Sequence, residues 1–257
     1  MPMLSVVMCV HNEAQKLSSC LEKLIFADEL VVVLDRCTDD SRAVVESFLP
    51  KFVQGGKIIE GAFEREGDRR NRALSEARGD FMLEIDADEH VSPELAAEIR
   101  AKTEKPDGDW FHIPVDNYIG ERLVRYGWGA SFGVSAVVRL TRKGVKHWGN
   151  QRVHPKVDLA GKKGVMLQNP LAHYVDTDVS DMLARLNRYT SLRAQDMRDA
   201  GTSETLRHNV ARMFGRFYKC YVRRKGYREG EFGFLIALMA ALFPVLSYLK
   251  LRLGKGE

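Results

Sequence analysis

Gly79-Asp80-Phe81-Met82-Leu83-Glu84-Ile85-Asp86-Ala87-Asp88-Glu89-His90 is the stretch on which the reading of this chain turns. Phe81 to Ile85 is a short strand that runs directly into a cluster of acids. Residues i and i+2 of an extended segment point to the same side, so Asp86 and Asp88 at the strand's end can face one ligand. A buried strand delivers such a pair to a fixed place, and the loop after it leaves the pair open to solvent. Hard divalent cations prefer carboxylate oxygens and keep open positions for phosphate, which makes the pair a candidate Mg²⁺ or Mn²⁺ site. A lone Asp-x-Asp is common, so its meaning rests on its neighbours.

Upstream, Leu4 to Val10 is a continuous apolar run of the kind a buried parallel strand shows, and His11-Asn12-Glu13 breaks it. Leu17, Leu21, Leu24 and Ile25 then recur at helical spacing. A second strand, Leu30 to Leu34, ends at Asp35, and Arg36 to Ser41 offers several helix-capping side chains. Val44, Val45, Phe48 and Leu49 continue as a helix that Pro50 closes. Phe52 to Ile59 is a weaker third strand, interrupted by Gly55-Gly56. A helix over Asp68 to Ala77 follows, with Gly79 expected as its C′ residue. Beyond the acids, Ser92 caps a helix that has Pro93 at its first position. Residues 1–105 thus alternate strand and helix four times, which predicts an α/β fold with a mostly parallel, Rossmann-like sheet covered on both faces. Ligands of such sheets bind outside the carboxyl ends of the strands. His11, Asn12, Asp35, Asp86 and Asp88 all fall at those ends. No Gly-x-Gly-x-x-Gly follows the first strand, which argues against a dinucleotide site.

Downstream the pattern loosens. Trp110 to Val115 is apolar, Asn117 to Phe132 is rich in Gly, Tyr, Trp and Arg and is expected to form loops, and Val134 to Thr141 is a strand. Val179 to Ala200 is a long helix with Leu183, Leu186, Tyr189, Thr190 and Leu192 in its apolar face. Four cysteines without metal-ligand or redox spacing, and an opening that runs straight into a strand, predict a reduced, cytosolic compartment. The net charge of +4 is local in origin: eight basic residues and no acid lie between Arg207 and Arg228, and the remainder carries more acid than base. No tract interleaves stacked aromatics with bases as a nucleic-acid reader does, so no nucleic-acid partner is expected.

That basic segment reads as an amphipathic helix. Arg212, Arg216, Lys219 and Arg223 repeat every three or four residues, opposite Val210, Met213, Phe214, Phe217 and Tyr221. Residues 232–249 are then 18 uncharged positions, at the lower limit for a membrane span and interrupted by Pro244. Three arrangements are open: a helix lying in the membrane interface, packing on the rest of the chain or in a homodimer, or a true span.

The ordered motifs resemble one family. His11-Asn12-Glu13 after the first strand, Val31-Val32-Val33-Leu34-Asp35 with Thr38-Asp39, Arg70-Asn71-Arg72-Ala73-Leu74, and Asp86-Ala87-Asp88-Glu89 resemble the family 2 glycosyltransferases of the GT-A fold. Arg139-Leu140-x-Arg142, Val153-His154, His173-Tyr174 and Leu186-Asn187-Arg188-Tyr189 are similar to its branch acting on bacterial lipopolysaccharide core. The resemblance implies a GT-A catalytic domain over residues 1–178, with a nucleotide-sugar half (1–105) and an acceptor half (106–178), and a helical, membrane-associating region over 179–257. It implies donor binding by His11, Asn12, Glu13, Asp35, Arg70, Asn71 and Asp86, and a divalent metal, Mn²⁺ or Mg²⁺, on Asp86, Asp88 and His154. The implied partners are a nucleotide-sugar, a lipid-linked glycan acceptor and an anionic membrane surface, at the cytosolic face of the bacterial inner membrane. The physics agrees, because a diphosphate leaving group gains negative charge that a cation and arginines stabilise.

Each residue also has a plainer reading. Asp35 and Asp39 can simply cap a helix, Arg69, Arg70 and Arg72 cannot all face one ligand, and His154 and His173 can be structural. The chain departs from the family where Pro155 follows His154 and where Ser135 precedes the Arg-Leu-x-Arg strand, since related enzymes carry acids there. An inverting transfer needs a base for the acceptor hydroxyl, and Asp116, Glu121, Asp158 and Asp176 remain as candidates. Two other classes stand beside this one. A nucleotidyltransferase would need a Gly-rich basic loop after strand one, and a catalytically silent membrane-bound scaffold would need no base at all.

Overall fold

A computed structural model describes residues 1–128, 134–150 and 156–254. Four parallel strands form the frame: β1 (Leu4–Val10) lies between β2 (Glu29–Asp35) and β4 (Phe81–Glu84), with β3 (Gly56–Gly61) outside β2. Every residue of β1, β2 and β4 is buried, and the strand pleat explains why their apolar runs are unbroken. On one face Leu4, Val6, Met8 and Val10 meet Leu17 and Leu21 of α1 (Ala14–Glu22), Val45 and Phe48 of α2 (Ser41–Phe48), and Leu95 and Ile99 of α4 (Pro93–Glu104). On the other, Val7, Cys9, Val31 and Val33 meet Ala73 of α3 (Glu66–Glu76) and Ala77. Sequence patterning alone carries this much, because both faces need apolar cover.

The sheet grows by antiparallel addition. β8 (Ala136–Arg142) runs against β4, and β6 (Trp110–Ile119) against β8. β11 (Leu171–Asp176) follows, paired with the two-residue β5 (Glu89–His90), giving the order β3-β2-β1-β4-β8-β6-β11-β5. The parallel part is therefore the part drawn from residues 4–84. A separate hairpin joins β9 (Lys146–Trp148) to β10 (Val157–Leu159).

Several local expectations change. The third strand begins at Gly56, because residues 49–51 form a helical turn and Phe52 is buried beside it. Asn117 to Phe132 is not all loop: β6 runs on to Ile119, turns at Gly120 and pairs with β7 (Arg122–Val124). Gly79 is not a C′ residue, since α3 ends at Ala77 with extended backbone; a Cβ at Gly79 would lie 2.6 Å from Ser5 Oγ and 2.8 Å from Met3 O. Close approach to β1, not a left-handed turn, requires glycine there. Ser92 behaves as expected, its side chain accepting from Leu95 N–H at 3.1 Å.

By contact the described residues fall into two units, 1–115 with 136–150 and 156–173, and 116–128 with 134–135 and 174–254. Residues 116–128 group by contact with the C-terminal helices. The second unit contains α5 (Val179–Asp199), α6 (Leu206–Tyr218) and α7 (Glu231–Leu253). Its core joins Ile236, Ala237, Met239, Ala240 and Phe243 of α7 to Ile119, Val124, Trp128, Met182, Leu186 and Cys220. α7 is long and apolar enough to cross a membrane, with a mean hydropathy of 2.2, yet half of that stretch is buried within the protein. The basic stripe of α6 is also partly turned inward. Arg212 pairs with Glu204 at 3.3 Å, and the Arg216 guanidinium lies 5.3 Å from the centre of the Phe243 ring.

Candidate active site

The carboxyl ends of β1, β2 and β4 bring the expected acids to one edge of the first unit. His11 Nδ1 lies 2.6 Å from the Asp35 carbonyl oxygen, tying the end of β1 to the end of β2. Asn12 and Arg36, the residues that turn the chain out of these strands, both take positive φ, at 54° and 53°. Asparagine tolerates this conformation, whereas for arginine it is uncommon and marks a strained position beside Asp35. The Asn12 carboxamide accepts from Thr38 N–H at 2.7 Å, so it shapes the loop. Asp35 is buried; it accepts from Phe63 N–H at 3.0 Å, and Arg69 approaches its other oxygen at 3.5 Å. Asp39 takes the plainer role, accepting from the backbone N–H groups of Ala14 and Ser41. Burial, together with the charges of Asp88 and Asp86, pushes the Glu13 carboxyl up to about 7.

At the end of β4 the two acids differ. Arg139 on β8 reaches both Asp86 and Glu89 at 2.5 Å, and Arg70 on α3 reaches Asp86 at 3.0 Å. Burial opposes ionisation of Asp86, but the two guanidinium groups outweigh it and hold the carboxyl well below the usual range. The Asp86 N–H donates to Glu89 at 2.9 Å, closing the turn between them. Burial raises Glu89, and its shared arginine does not offset this. Asp88 instead faces His173, whose Nε2 is 3.7 Å away and which β11 places opposite Glu89. Burial lowers the His173 pKa, yet Asp88 outweighs it, so the imidazole is shifted upward.

A divalent ion bound with nucleotide phosphates asks the protein for one or two carboxylates. Asp88 meets that demand, while both oxygens of Asp86 already receive arginine. Among the described residues no group of three or more His, Cys, Asp or Glu side chains could by itself hold a metal. His154, expected as a third ligand, lies outside the described residues. Of the two acids, Asp88 is the one whose carboxylate takes no arginine among the described residues and could serve a divalent ion bound with phosphates.

Beneath this edge lies a buried support. Glu84, two residues before Asp86, pairs with Lys146 at 2.5 Å and accepts from Trp148 Nε1–H at 2.8 Å. The Arg70 guanidinium sits 4.9 Å from the centre of the Trp148 ring. Asn71, expected at the donor, is committed to Trp148: its amide donates to the carbonyl at 2.8 Å and accepts from the N–H at 2.9 Å. Arg139, Glu89 and Trp148 were given no role from sequence, although Arg139 and Glu89 each stand within a matching motif. The base candidates are scattered. Asp158 is exposed on β10, Asp116 is half-buried on β6, Glu121 is exposed at the β6–β7 turn, and buried Asp176 pairs with Arg185 at 2.7 Å.

The model of Glycosyl transferase family 2 matches residues 5–145. The lipopolysaccharide core biosynthesis glycosyltransferase LpsC of Rhizobium meliloti (strain 1021) is 23% identical, covering 98% of this chain and 92% of LpsC. S. aureus TarS 1-349 in complex with UDP-GlcNAc superposes with a TM-score of 0.55 at 16% identity, over 95% of this chain and 81% of that one. The mannosyltransferase PcManGT from Pyrobaculum calidifontis, in complex with GDP-Man and Mn²⁺, gives 0.53 at 12% identity, over 100% and 88%. At these identities the two structures speak for the fold, which is similar to that of GT-A glycosyltransferases as the motifs implied. Since the family match covers more than half of the chain, from β1 through β8, and takes in the strand ends beside Asp35, Asp86 and Asp88, the chain is a glycosyltransferase of family 2.

Proposed function

We propose that this glycosyltransferase moves a sugar from a nucleotide-sugar to a lipid-linked glycan acceptor in cell-envelope synthesis, with the help of a divalent ion. The observation that carries the reading is the convergence of Asp35, Asp88 and the arginine-held Asp86 at one sheet edge. LpsC supports a lipopolysaccharide-like acceptor, and the ligands of TarS and PcManGT support a nucleotide-sugar donor and Mn²⁺. Asp35 would meet the nucleoside, and Asp88 would hold the ion on the diphosphate. Such an ion neutralises charge that develops on the leaving diphosphate. Arg70 and Arg139 keep the Asp86 loop in place and add positive potential near the same phosphates. An acceptor of this kind puts the enzyme at the cytosolic face of the inner membrane as a peripheral protein. The transfer is inverting in this reading, with the base among the acids of the acceptor half.

A donor screen with purified protein, scored by nucleoside diphosphate release, tests the proposal. Release from one nucleotide-sugar, abolished by chelator and restored by Mn²⁺ or Mg²⁺, is the expected result. Silence with every donor, acceptor present, would favour the scaffold reading.

A further inference from the structure

The apolar helix α7 is the natural suspect for membrane contact, but its Ile236, Ala237, Met239, Ala240 and Phe243 are committed to the core of the second unit. The outer face of α6 is a different matter. Phe214 and Tyr218 stand four residues apart on α6, so they form one stripe, and they are 66% and 57% exposed; Val222, in the π-helical turn over 219–223 that continues α6, is 43% exposed. Phe217 and Tyr221 lie beside them, with ring centres 5.4 Å apart, and both meet the half-exposed Phe234 at about 6 Å. An aromatic surface of this extent is costly in water unless something covers it.

Its rim is basic. Lys219 and Arg223 are exposed on the π-helical turn that continues α6, Lys225 follows, and no acid occurs from Arg207 to Arg228. Among the described residues Arg212 is balanced by Glu204 and Arg122 approaches the buried Glu229, but no acid pairs with Lys219, Arg223 or Lys225. We infer that the outer face of α6 docks on an anionic lipid surface, with Phe214 and Tyr218 entering the headgroup layer and Lys219, Arg223 and Lys225 meeting lipid phosphates. Charge complementarity selects this occupant over a second copy of the chain. A two-fold contact would set the same basic rim against itself, and the cores of protein interfaces are depleted of lysine. Amphipathic rings and bases are what a bilayer interface accepts. The inference rests on the membrane-acceptor reading above and names the face that makes the contact.

The test uses the full chain with vesicles of phosphatidylcholine, with and without phosphatidylglycerol, at low and high salt. Co-sedimentation should require phosphatidylglycerol and weaken in high salt without vanishing, because the aromatic contribution is unscreened. Lys219→Glu with Arg223→Glu should lower partitioning by roughly 25-fold or more, taking about 1 kcal/mol per basic residue. Phe214→Ser with Tyr218→Ser should remove the salt-resistant part. Both pairs are exposed and should leave circular dichroism and nucleoside diphosphate release on a soluble acceptor unchanged. Binding that neither pair reduces overturns the inference, as does equal binding to neutral vesicles. A dimer by light scattering that Phe214→Ser disperses, with no vesicle binding, assigns the face to a second copy and also overturns it. If no donor turns over while vesicle binding responds to these variants, the functional proposal fails and the docking face stands.

Discussion

Asp86 and Asp88 are the same residue type two positions apart, and their neighbours give them different work. Asp86 is pinned by Arg70 and Arg139, and Asp88 is left facing His173. Asp88→Asn should therefore abolish turnover and weaken Mn²⁺ binding in the presence of a nucleoside diphosphate, with the unfolding midpoint unchanged. Asp86→Asn should instead cost about 2 kcal/mol of stability, because it leaves two largely buried guanidinium groups short of a counter-charge. Calorimetric Mn²⁺ titration beside urea unfolding separates the two; equal loss of Mn²⁺ affinity in both variants would argue against the division. Asp35→Ala should raise the donor KM at least tenfold and change kcat less, as loss of a nucleoside contact does. The positions of these acids were legible in sequence because each ends an apolar strand. Their partners were not, since Arg139 reaches Asp86 only through the antiparallel pairing of β8 with β4, which no local pattern announces.

Among the elements, β1, β2 and β4 were readable because full burial demands unbroken apolar runs, whereas the half-exposed β3 was misplaced at its start and the β6–β7 hairpin hid behind Gly120 and a polar, aromatic composition. β4 and β9 are joined by the buried Glu84–Lys146 pair, with both side chains nearly inaccessible. Lys146→Met leaves the Glu84 carboxylate uncompensated and should destabilise the protein by about 3 kcal/mol. Adding Glu84→Gln should recover most of that loss, and urea unfolding of the three proteins measures it. The pair also predicts a pH dependence. Burial pulls the Lys146 pKa down to about 8 despite Glu84, so above pH 8 the folded chain sheds a proton that the unfolded chain keeps until near 10.5. Unfolding then takes up protons in this window, and the contribution of Lys146 to stability rises with pH by up to about 1.4 kcal/mol per unit. The stability difference between the parent and Lys146→Met should widen from neutral pH to pH about 10; a flat difference would contradict the assignment.

For the whole molecule, composition invites cutting the chain before its basic and apolar tail and expecting the rest to fold. The contact pattern argues otherwise. Ile119, Val124 and Trp128, from the middle of the sequence, share one core with Met182, Leu186 and the buried face of α7. Deleting residues 206–257 would uncover all five side chains. At roughly 2 kcal/mol each this comes to on the order of 10 kcal/mol, comparable to the entire stability of a domain. The truncated chain should aggregate or bind a hydrophobic dye strongly, even though every acid of the candidate donor site remains in it. A gentler probe of the same core is Gly233→Ala, because a Cβ there collides with the Gly226 carbonyl at the start of α7. That variant should lose several degrees of Tm as a full-length protein. The apolar helix also predicts its own extraction behaviour. With half its stretch buried among α5 and α6, it should leave membranes in alkaline carbonate, where a spanning helix would stay. A soluble, monomeric truncation with an undisturbed thermal transition would show that residues 116–205 need no partner from α7, and the shared core would then be dispensable.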